Sequence, residues 1–306
     1  MSTRKNTKAA ALAATTLPPR RPSTPRQGLM ARGAKPGEVL ELSQPMGAEE
    51  EGTDTQFVSA VGRAMAVLSA FRPDDGPLGN AELSERTGLP KPTVSRLTYT
   101  LARCGCLTFN PRYRVYQLGP AVVAMGHAAM KSIDVRQLAR PLIQQLAHQS
   151  NFNVGLAARD EQSMVYLDAF EGNALVGLRL PVGFRLPILT SSMGRAYLAG
   201  LPEDERELAL AELRPAAQSN WTSMLKQVKE AVAEYEQHGF CTSIGEWRSD
   251  VNGVAAPIRP PAGGPVYAVN LGGPAYLLSE HLLREELGPK IAELTRKVEA
   301  AMTPIG

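Results

Sequence analysis

The sequence predicts an α+β protein with a helical N-terminal region and a larger C-terminal region built on a mainly antiparallel sheet. The chain has 306 residues, a length typical of about two domains. Helical spacing of apolar residues predominates between Phe57 and Lys131, interrupted by one short hairpin-like segment, whereas strand-like runs alternate with helices after Asn151. Short hairpin-like strands mixed with helices favour a mainly antiparallel sheet.

Residues 1–54 are predicted to form a disordered tail. The segment is rich in Ala, Thr, Pro and Arg, has no hydrophobic period, and turns acidic at Glu49–Glu51. It lacks the apolar stretch of a secretory signal. Two interpretations stay open: an arm that attracts DNA nonspecifically, or a translation start placed too early, with Met30 or Met46 as the true start.

Composition disfavours several classes of protein. No apolar run approaches the roughly 18 residues of a membrane-spanning helix, so we expect a soluble, cytoplasmic protein without a membrane partner. Cys104, Cys106 and Cys241 give no disulfide framework, and they lack the spacing of a metal site. The sequence therefore predicts reduced thiols, no metal and no cofactor.

Residues 55–119 form the first predicted domain, which begins with a helix. Its apolar residues recur at helical spacing up to about Phe71, and Pro73–Gly76 supplies the turn after it. The stripe expected to face the core consists of Val58, Val61, Met65 and Leu68.

Two further helices and a hairpin complete this domain. Asn80 is the expected N-cap of a helix over Ala81–Thr87, and Gly88 makes the tight turn that follows it. A third helix extends from about Pro92 to Cys104. The strand-like runs after it are Leu107–Phe109 and Val115–Leu118, joined by Asn110–Tyr113. This order of elements predicts a winged helix-turn-helix.

The predicted winged helix-turn-helix carries a local positive field. Arg86–Ile133 contains no acidic residue, although the net charge of the chain is only +3. Val94, Leu97 and Leu101 share one face of the third helix and leave its polar side chains free for the major groove. A lone arginine is more often a surface solubiliser, which is the better interpretation of Arg103. The candidates for contact with double-stranded operator DNA are Lys91, Thr93, Ser95, Arg96, Tyr99, Arg112 and Arg114.

Residues 120–134 are predicted as a linker helix and residues 135–304 as the second domain. Asp134 is the expected cap of that domain's first helix, whose inner stripe is Val135, Leu138, Leu142 and Leu146. The predicted strands are Val154–Ala158, Met164–Phe170, Leu175–Leu180, Val254–Ile258 and Val266–Leu271. The later helices begin near Met193, Glu203, Leu225 and Ser279.

The order of these motifs resembles the IclR family of bacterial transcriptional regulators. The segments that carry the resemblance are AMAVLSAF (64–71), AELSERTGLPKPTVSRLTYTL (81–101), YQLG (116–119), VRQLARPLIQQL (135–146), VGFRLPILTSSMGRAYLA (182–199), HGFCTSIGEWRSDVNGVAAPI (238–258) and VNLGGP (269–274). It implies a homodimer or homotetramer in which a winged helix-turn-helix is joined to a GAF-like effector-binding domain. Such proteins act on pseudo-palindromic operators, as repressors or activators, in response to small metabolites that are often organic acids.

The resemblance also implies an effector site between the sheet and three loops, around Leu189–Gly194, Ser243–Gly253 and Asn270–Gly272. A few hydroxyl and amide groups in an apolar cleft suit a small polar acid. N–H groups at the helix start after Ser191 would favour its carboxylate, but a capping role for Ser191 or Ser192 is the alternative. The implied effector-binding residues are Leu178, Leu186, Ser191, Ser192, Met193, Ser243, Glu246, Asn252 and Asn270.

Two glycines depart from the better-known members of the family. Gly253 and Gly272 lie near positions where some members carry Cys or Ser, so we expect room for an acid of more than two or three carbons. The sequence of Thr190–Pro202 is similar to that of family branches that control aromatic-acid catabolism. The predicted function is therefore a regulator whose operator affinity is controlled by a small organic or aromatic acid.

The alternative function is an enzyme of small-molecule metabolism that carries an appended DNA-binding domain. Ser223 and Lys226 have the spacing of a serine–lysine hydrolase, but a serine at the start of a predicted helix is the expected N-cap. The sequence has no HExxH spacing and no Walker or GxGxxG loop. We therefore expect no catalytic residues.

Overall fold

The computed structural model describes residues 57–72, 75–172, 180–217 and 220–302. The predicted tail over residues 1–54 and the predicted strand Leu175–Leu180, apart from its last residue, lie outside these ranges. The helices are α1 (Ser59–Ser69), α2 (Asn80–Thr87), α3 (Lys91–Arg103), α4 (Pro120–Lys131), α5 (Asp134–Ser150), α6 (Ser192–Gly200), α7 (Glu203–Ala217), α8 (Trp221–His238), α9 (Glu280–Leu282) and α10 (Gly288–Met302), with a π-helical turn at Leu283–Leu287. The strands are β1 (Leu78–Gly79), β2 (Leu107–Asn110), β3 (Val115–Leu118), β4 (Asn153–Asp160), β5 (Ser163–Phe170), β6 (Arg185–Pro187), β7 (Cys241–Ile244), β8 (Val251–Ile258) and β9 (Tyr267–Pro274). In the described ranges, no helix is long and apolar enough to cross a membrane.

The first three helices pack around a small apolar core that includes Val67, Leu83, Val94 and Leu107. A three-stranded antiparallel sheet in the order β1-β3-β2 closes this core. The sequence gives no signal for β1, because a strand of two residues is too short to show a period. Helix, helix–turn–helix and hairpin nevertheless follow each other as predicted.

The predicted inner stripe of α1 is wrong. Val58, Val61 and Met65 are 61%, 60% and 55% exposed, whereas Val67 is fully buried and Leu68 packs beside it. Both sides of α1 carry apolar residues, so periodicity alone does not identify the side that meets the core.

Two predicted helix caps are also wrong. Gly79 is the N-cap of α2 and Ile133 is the N-cap of α5, and neither helix start has a side-chain capping bond. Asn80 and Asp134 are instead the first residues of these helices. The Asn80 Oδ1 atom accepts a hydrogen bond from the Thr98 hydroxyl at 3.2 Å, which ties α2 to α3.

The C-terminal region contains one six-stranded antiparallel sheet in the order β6-β5-β4-β9-β8-β7, which confirms the predicted fold class. Helices α5 and α10 cover one face, where Ile143, Leu156 and Leu271 are buried. Helices α6, α7 and α8 cover the other face. Leu138 is 36% exposed, contrary to its predicted place in the inner stripe of α5, because Ala139 and Ile143 face the sheet instead.

Helix α6 lies close to the segment before it and to the sheet beneath it. A Cβ atom at Gly194 would overlap the backbone of Ile188, and one at Gly200 would overlap the ring of Pro257. At the start of the helix, the Cys241 thiol donates to the carbonyl oxygen of Ser192 at 3.7 Å. These contacts hold α6 close to β7 at its first residue and close to β8 at its last.

Candidate functional site

One face of α3 is buried and the other is exposed. Val94, Thr98 and Leu101 pack into the core, and Leu97 is partly buried beside them. Tyr99 is 65% exposed. Of the predicted DNA-contact residues on this helix, Thr93 is half-buried, whereas Lys91, Ser95, Arg96 and Tyr99 are exposed.

The turn between α2 and α3 is fixed by side-chain hydrogen bonds. Ser84 Oγ donates to the carbonyl oxygen of Leu89 at 2.6 Å, and Thr87 Oγ1 accepts from the Leu89 N–H at 3.3 Å. Gly88 has a φ of +68°, the left-handed conformation that glycine adopts without a steric cost. The turn therefore holds α3 at a set angle to α2, as recognition by a helix requires.

Arg86 is paired with acidic side chains and therefore does not contribute to the positively charged surface of this domain. Its guanidinium pairs with Asp75 and with Glu82, and the hydrogen bond from Arg86 holds the pKa of the Asp75 carboxyl below its usual value. In the described part of the chain, no ion pair engages the other basic residues of this surface: Lys91, Arg96, Arg103, Arg112 and Arg114.

The wing carries two exposed arginines at the tip of the β2–β3 hairpin. Asn110 Oδ1 accepts hydrogen bonds from the backbone N–H groups of Arg112 and Tyr113 and so shapes the turn. Arg114 has a φ of +56°, and the Arg112 guanidinium lies 5.4 Å from the centre of the Tyr113 ring. The predicted DNA-contact residues of α3 and of the wing together form the α3–wing surface: Lys91, Thr93, Ser95, Arg96, Tyr99, Arg112 and Arg114.

The second group of candidate residues lies on the face of the large sheet that α6 covers. Ser243, Gly253 and Gly272 are paired across β7, β8 and β9, so their Cβ positions point to the same side. Asn270 lies two residues before Gly272 and shares that side. Ser243 and Asn270 are 4% and 6% exposed, so both polar side chains are buried beneath the start of α6.

The N-terminus of α6 presents hydrogen-bond donors to this face. Ser191 is the N-cap: its Oγ accepts from the Gly194 N–H at 3.1 Å and donates to the Pro187 carbonyl at 2.6 Å. Capping is therefore the structural role of Ser191. Within the described ranges, the N–H groups of Ser192 and Met193 form no hydrogen bond. These two N–H groups lie at the positive end of the helix dipole, where an anion is favoured.

Several other candidates are already engaged. Glu246 pairs with Arg195, whose side chain is 3% exposed. Ser243 Oγ donates to the Thr190 carbonyl at 2.9 Å. Asn252 lies on the opposite face of β8 and donates to the Leu278 carbonyl at 2.7 Å, so the structure does not bring it to this group.

The apolar candidates differ in placement. Leu186 of β6 and Met193 of α6 are buried in the core beneath α6. Leu178 lies outside the described residues. Phe184 and Trp247 pack against the same core, with their ring centres 6.4 Å apart. The sequence gives no reason to single out these two rings, because they lie in loops without periodic pattern.

The two glycines of the sheet differ in the space above them. A Cβ atom at Gly253 would lie 2.9 Å from Ser192 Oγ, so the serine already fills that space. A Cβ atom at Gly272 would have only ordinary contacts, at 3.6 Å to the Asn252 carbonyl and 3.8 Å to Asn270 Nδ2. The expected room for a larger acid is therefore wrong at Gly253, although Gly272 leaves space.

Two polar residues of this region were also not among the predicted site residues. Tyr166 donates its hydroxyl hydrogen to Asn270 Oδ1 at 2.9 Å. Arg195 donates to the Leu189 carbonyl at 3.1 Å and to Gln227 at 3.0 Å, besides its pair with Glu246. Their side-chain partners Asn270, Gln227 and Glu246 are distant in sequence, and no local motif connects such residues.

The serine–lysine pair lies on the surface of α8. Ser223 is exposed in the first turn of this helix, and Asn220 is the N-cap, so the capping prediction for Ser223 is wrong. Lys226 Nζ lies 3.8 Å from Glu230. No group of three or more His, Cys, Asp or Glu side chains in the described ranges has the geometry to hold a metal ion.

Comparison with known protein families gives matches to both regions. Residues 60–111 match the IclR helix-turn-helix domain. Residues 127–300 match the family described as bacterial transcriptional regulator IclR C-terminal. The second match alone covers more than half of the chain.

Relatives and solved structures agree with these matches. The HTH-type transcriptional regulator TsaQ1/TsaQ2 of Comamonas testosteroni is 30% identical over 266 residues, which are 86% of this chain and 95% of that protein. An IclR family transcriptional regulator from Brucella abortus, solved as a crystal structure, is 41% identical with a TM-score of 0.74, over 85% of this chain and 98% of that one. An IclR homologue from Microbacterium hydrocarbonoxydans, crystallised with 4-hydroxybenzoate, is 21% identical with a TM-score of 0.63, over 79% of this chain and 98% of that one. At that identity, the likeness to the last structure shows the fold alone.

Proposed function

Since the chain belongs to the IclR family of bacterial transcriptional regulators, we propose that a small organic acid bound at the N-terminus of α6 controls its affinity for operator DNA. The DNA would bind to the α3–wing surface, and the protein would act in the cytoplasm. The observation that carries the proposal is a set of donors without a partner in the described ranges: the N–H groups of Ser192 and Met193 at the start of α6, and Asn270 Nδ2 beside Gly272.

The charge and shape of the α3–wing surface support binding to duplex DNA. The N-terminal half of a recognition helix enters the major groove, and its polar side chains contact base edges and phosphates. Arg96 and Ser95 are exposed on that half of α3, and Lys91 lies at its first residue. Arg112 and Arg114 on the wing would reach the backbone or the minor groove. We propose Arg96 as the main base-reading residue of the set.

Replacing Arg96 by Ala is expected to weaken specific operator binding by about 1–3 kcal/mol and to relax base preference at one position, because a bidentate contact is lost. Arg103→Ala is the matched control, since Arg103 is also exposed on α3 but lies at its last residue. Fluorescence anisotropy at fixed salt, on a fragment selected from random duplex DNA, measures both affinities. If the two variants lose the same amount of operator affinity, Arg96 is not a base-reading residue.

The polar groups beneath α6 suit the oxygen atoms of an acid. Glu246 is the acidic candidate of the site, and Arg195 already neutralises it. The remaining unused groups donate hydrogen bonds, so a carboxylate would have several donors and no unpaired acidic group beside it. Phe184 and Trp247 add apolar surface nearby. An aromatic acid fits this combination, and it is the class of compound with which the homologue from Microbacterium hydrocarbonoxydans was crystallised.

A thermal-shift panel tests the acid site. Benzoate, 4-methylbenzoate and 4-hydroxybenzoate are the probes, and their primary amides are the controls. Binding to the folded state raises the free energy of unfolding by RT ln(1 + [L]/Kd), so a melting temperature that keeps rising with acid concentration is expected for at least one acid. Failure of every acid to raise the melting temperature would contradict the proposed class of effector.

Two exposed apolar helix faces support self-association. Phe57 and Val58 are exposed just before α1, Val61 and Met65 are exposed on it, and Val123 and Met125 are 70% and 61% exposed on α4. No residue of α4 is buried. We propose that α1 packs against a second copy of the chain, since a pseudo-palindromic operator needs two recognition helices about one helical turn of DNA apart.

Val61→Glu is expected to weaken the homodimer at least about tenfold, because a charge would be buried at the proposed contact. Leu208→Glu is the matched control, since Leu208 is 67% exposed on a different helix, α7. Sedimentation velocity over a dilution series measures the dissociation. A Val61→Glu variant that associates like the Leu208→Glu variant would exclude α1 from the dimer contact.

A further inference from the structure

Tyr166 lies on the same face of the sheet as the proposed acid site. It is paired with Ala157 of β4, and its hydroxyl donates to Asn270 Oδ1 at 2.9 Å. Tyr166 and Asn270 are 3% and 6% exposed, so water does not compete for this hydrogen bond. The bond therefore joins the phenol to the one amide side chain of the candidate set on this face.

Gly155 makes room for the Tyr166 ring. A Cβ atom at Gly155 would overlap Tyr166 Cε1 and Cδ1, and Gly155 is also the residue of β4 that pairs with Asn270. The ring therefore crosses the space above Gly155 to place its hydroxyl on the Asn270 side chain. Any larger residue at this position would force the ring away from Asn270.

The hydrogen bond fixes which end of the Asn270 amide faces the site. Burial raises the pKa of the Tyr166 phenol, so the hydroxyl stays protonated and donates. The accepting oxygen Oδ1 is held by this donor, which leaves the donating Nδ2 on the side of Gly272, 3.8 Å from its Cβ position. Nδ2 forms no side-chain hydrogen bond with any residue in the described ranges.

We propose that Tyr166 is a specificity-determining residue that selects an acid over the corresponding amide by holding Asn270 with its donor toward the ligand. The inference rests on the proposed function of the site beneath α6. A carboxylate offers only acceptors, whereas a primary amide of the same shape offers an acceptor and a donor. Without the Tyr166 hydroxyl, Asn270 is free to turn over and accept from a ligand amide. Tyr166 is a positioning residue, because it acts through Asn270.

The test compares benzoate and its two 4-substituted relatives with their primary amides, by isothermal titration of the full-length protein. We expect the wild type to prefer the acid. In Tyr166→Phe, the ratio of the amide Kd to the acid Kd should fall by about tenfold, since one oriented hydrogen bond no longer discriminates. In Asn270→Asp, which presents only acceptors, the preference should reverse in favour of the amide.

Tyr267→Phe is the matched control, because Tyr267 lies on β9 but packs against the core of the other face of the sheet. For this variant, the ratio of the amide Kd to the acid Kd should equal that of the wild type. An unchanged ratio in Tyr166→Phe, in a protein that still binds the acid, would overturn this inference and leave the proposed function intact. Failure of the wild type to bind any of the acids would overturn both.

Discussion

Replacing Glu246 by Gln is expected to lower the free energy of unfolding by about 3 kcal/mol, because it leaves a buried guanidinium without its counter-ion. The Arg195 side chain is 3% exposed and the Glu246 side chain is 26% exposed, so the arginine is the partner that cannot be hydrated. An arginine also stays charged at any ordinary pH. The same substitution should loosen the loop after β7, since Glu246 also accepts from the Ile244 N–H at 3.2 Å.

Urea unfolding followed by tryptophan emission measures this loss. Trp247 lies next to Glu246 in sequence, so its emission should also shift toward that of a more solvated indole. The double variant Arg195→Met with Glu246→Gln removes the buried charge as well, and it should be more stable than Glu246→Gln alone by about 1–3 kcal/mol. A Glu246→Gln variant as stable as the wild type would show that the pair adds nothing to the fold.

Replacing Gly272 by Leu is expected to weaken acid binding by at least about a hundredfold and to abolish the response of operator affinity to the acid. A Cβ atom at this position meets no atom closer than 3.6 Å, so the backbone tolerates a side chain. A leucine would fill the space beside Asn270 Nδ2 in which we place the acid. The side chain and the acid could both fit there only in an overpacked core, which is destabilising. Operator affinity without the acid should be unchanged, because Gly272 lies on β9 of the six-stranded sheet and is not part of the α3–wing surface.

Gly272→Ala is the matched control for this substitution. Its single methyl group should reduce acid affinity by less than about tenfold, in line with ordinary contact at that distance. Gly253→Ala is unsuitable as a control, since its Cβ atom would lie 2.9 Å from Ser192 Oγ. If Gly272→Leu responds to the acid like the wild type, the proposed acid site is misplaced.

The helices and most strands follow from local sequence. Apolar spacing and turn glycines such as Gly88 and Gly239 mark the ends of helices within a few residues, because these signals depend only on neighbours along the chain. The side of α1 that meets the core does not follow in this way. Val58 and Val67 are equally apolar, and only the packing of the other helices buries one and exposes the other.

The candidate site is less predictable, because its chemistry depends on pairing across the sheet. The register of β8 puts Gly253 beneath α6 and turns Asn252 to the opposite face. Glu246 is a polar residue that could contact a ligand, but it already forms an ion pair with Arg195, which is distant in sequence. Residue types and the resemblance indicate a region of the chain, whereas strand register and long-range pairs determine which side chains there remain available.

We propose that acid binding and operator binding are thermodynamically coupled in this protein. Linkage requires an acid that shifts operator affinity to have its own affinity shifted by the same factor when operator is bound, typically about 5–150-fold. The decisive measurement is therefore a pair of titrations on the wild type: operator with and without saturating acid, and acid with and without saturating operator. We predict that acid changes the operator affinity, and operator changes the acid affinity, by the same factor, which differs from one. Both changes should be absent in Gly272→Leu. An acid that binds tightly but leaves operator affinity unchanged would contradict the account, and the C-terminal domain would then serve assembly rather than sensing.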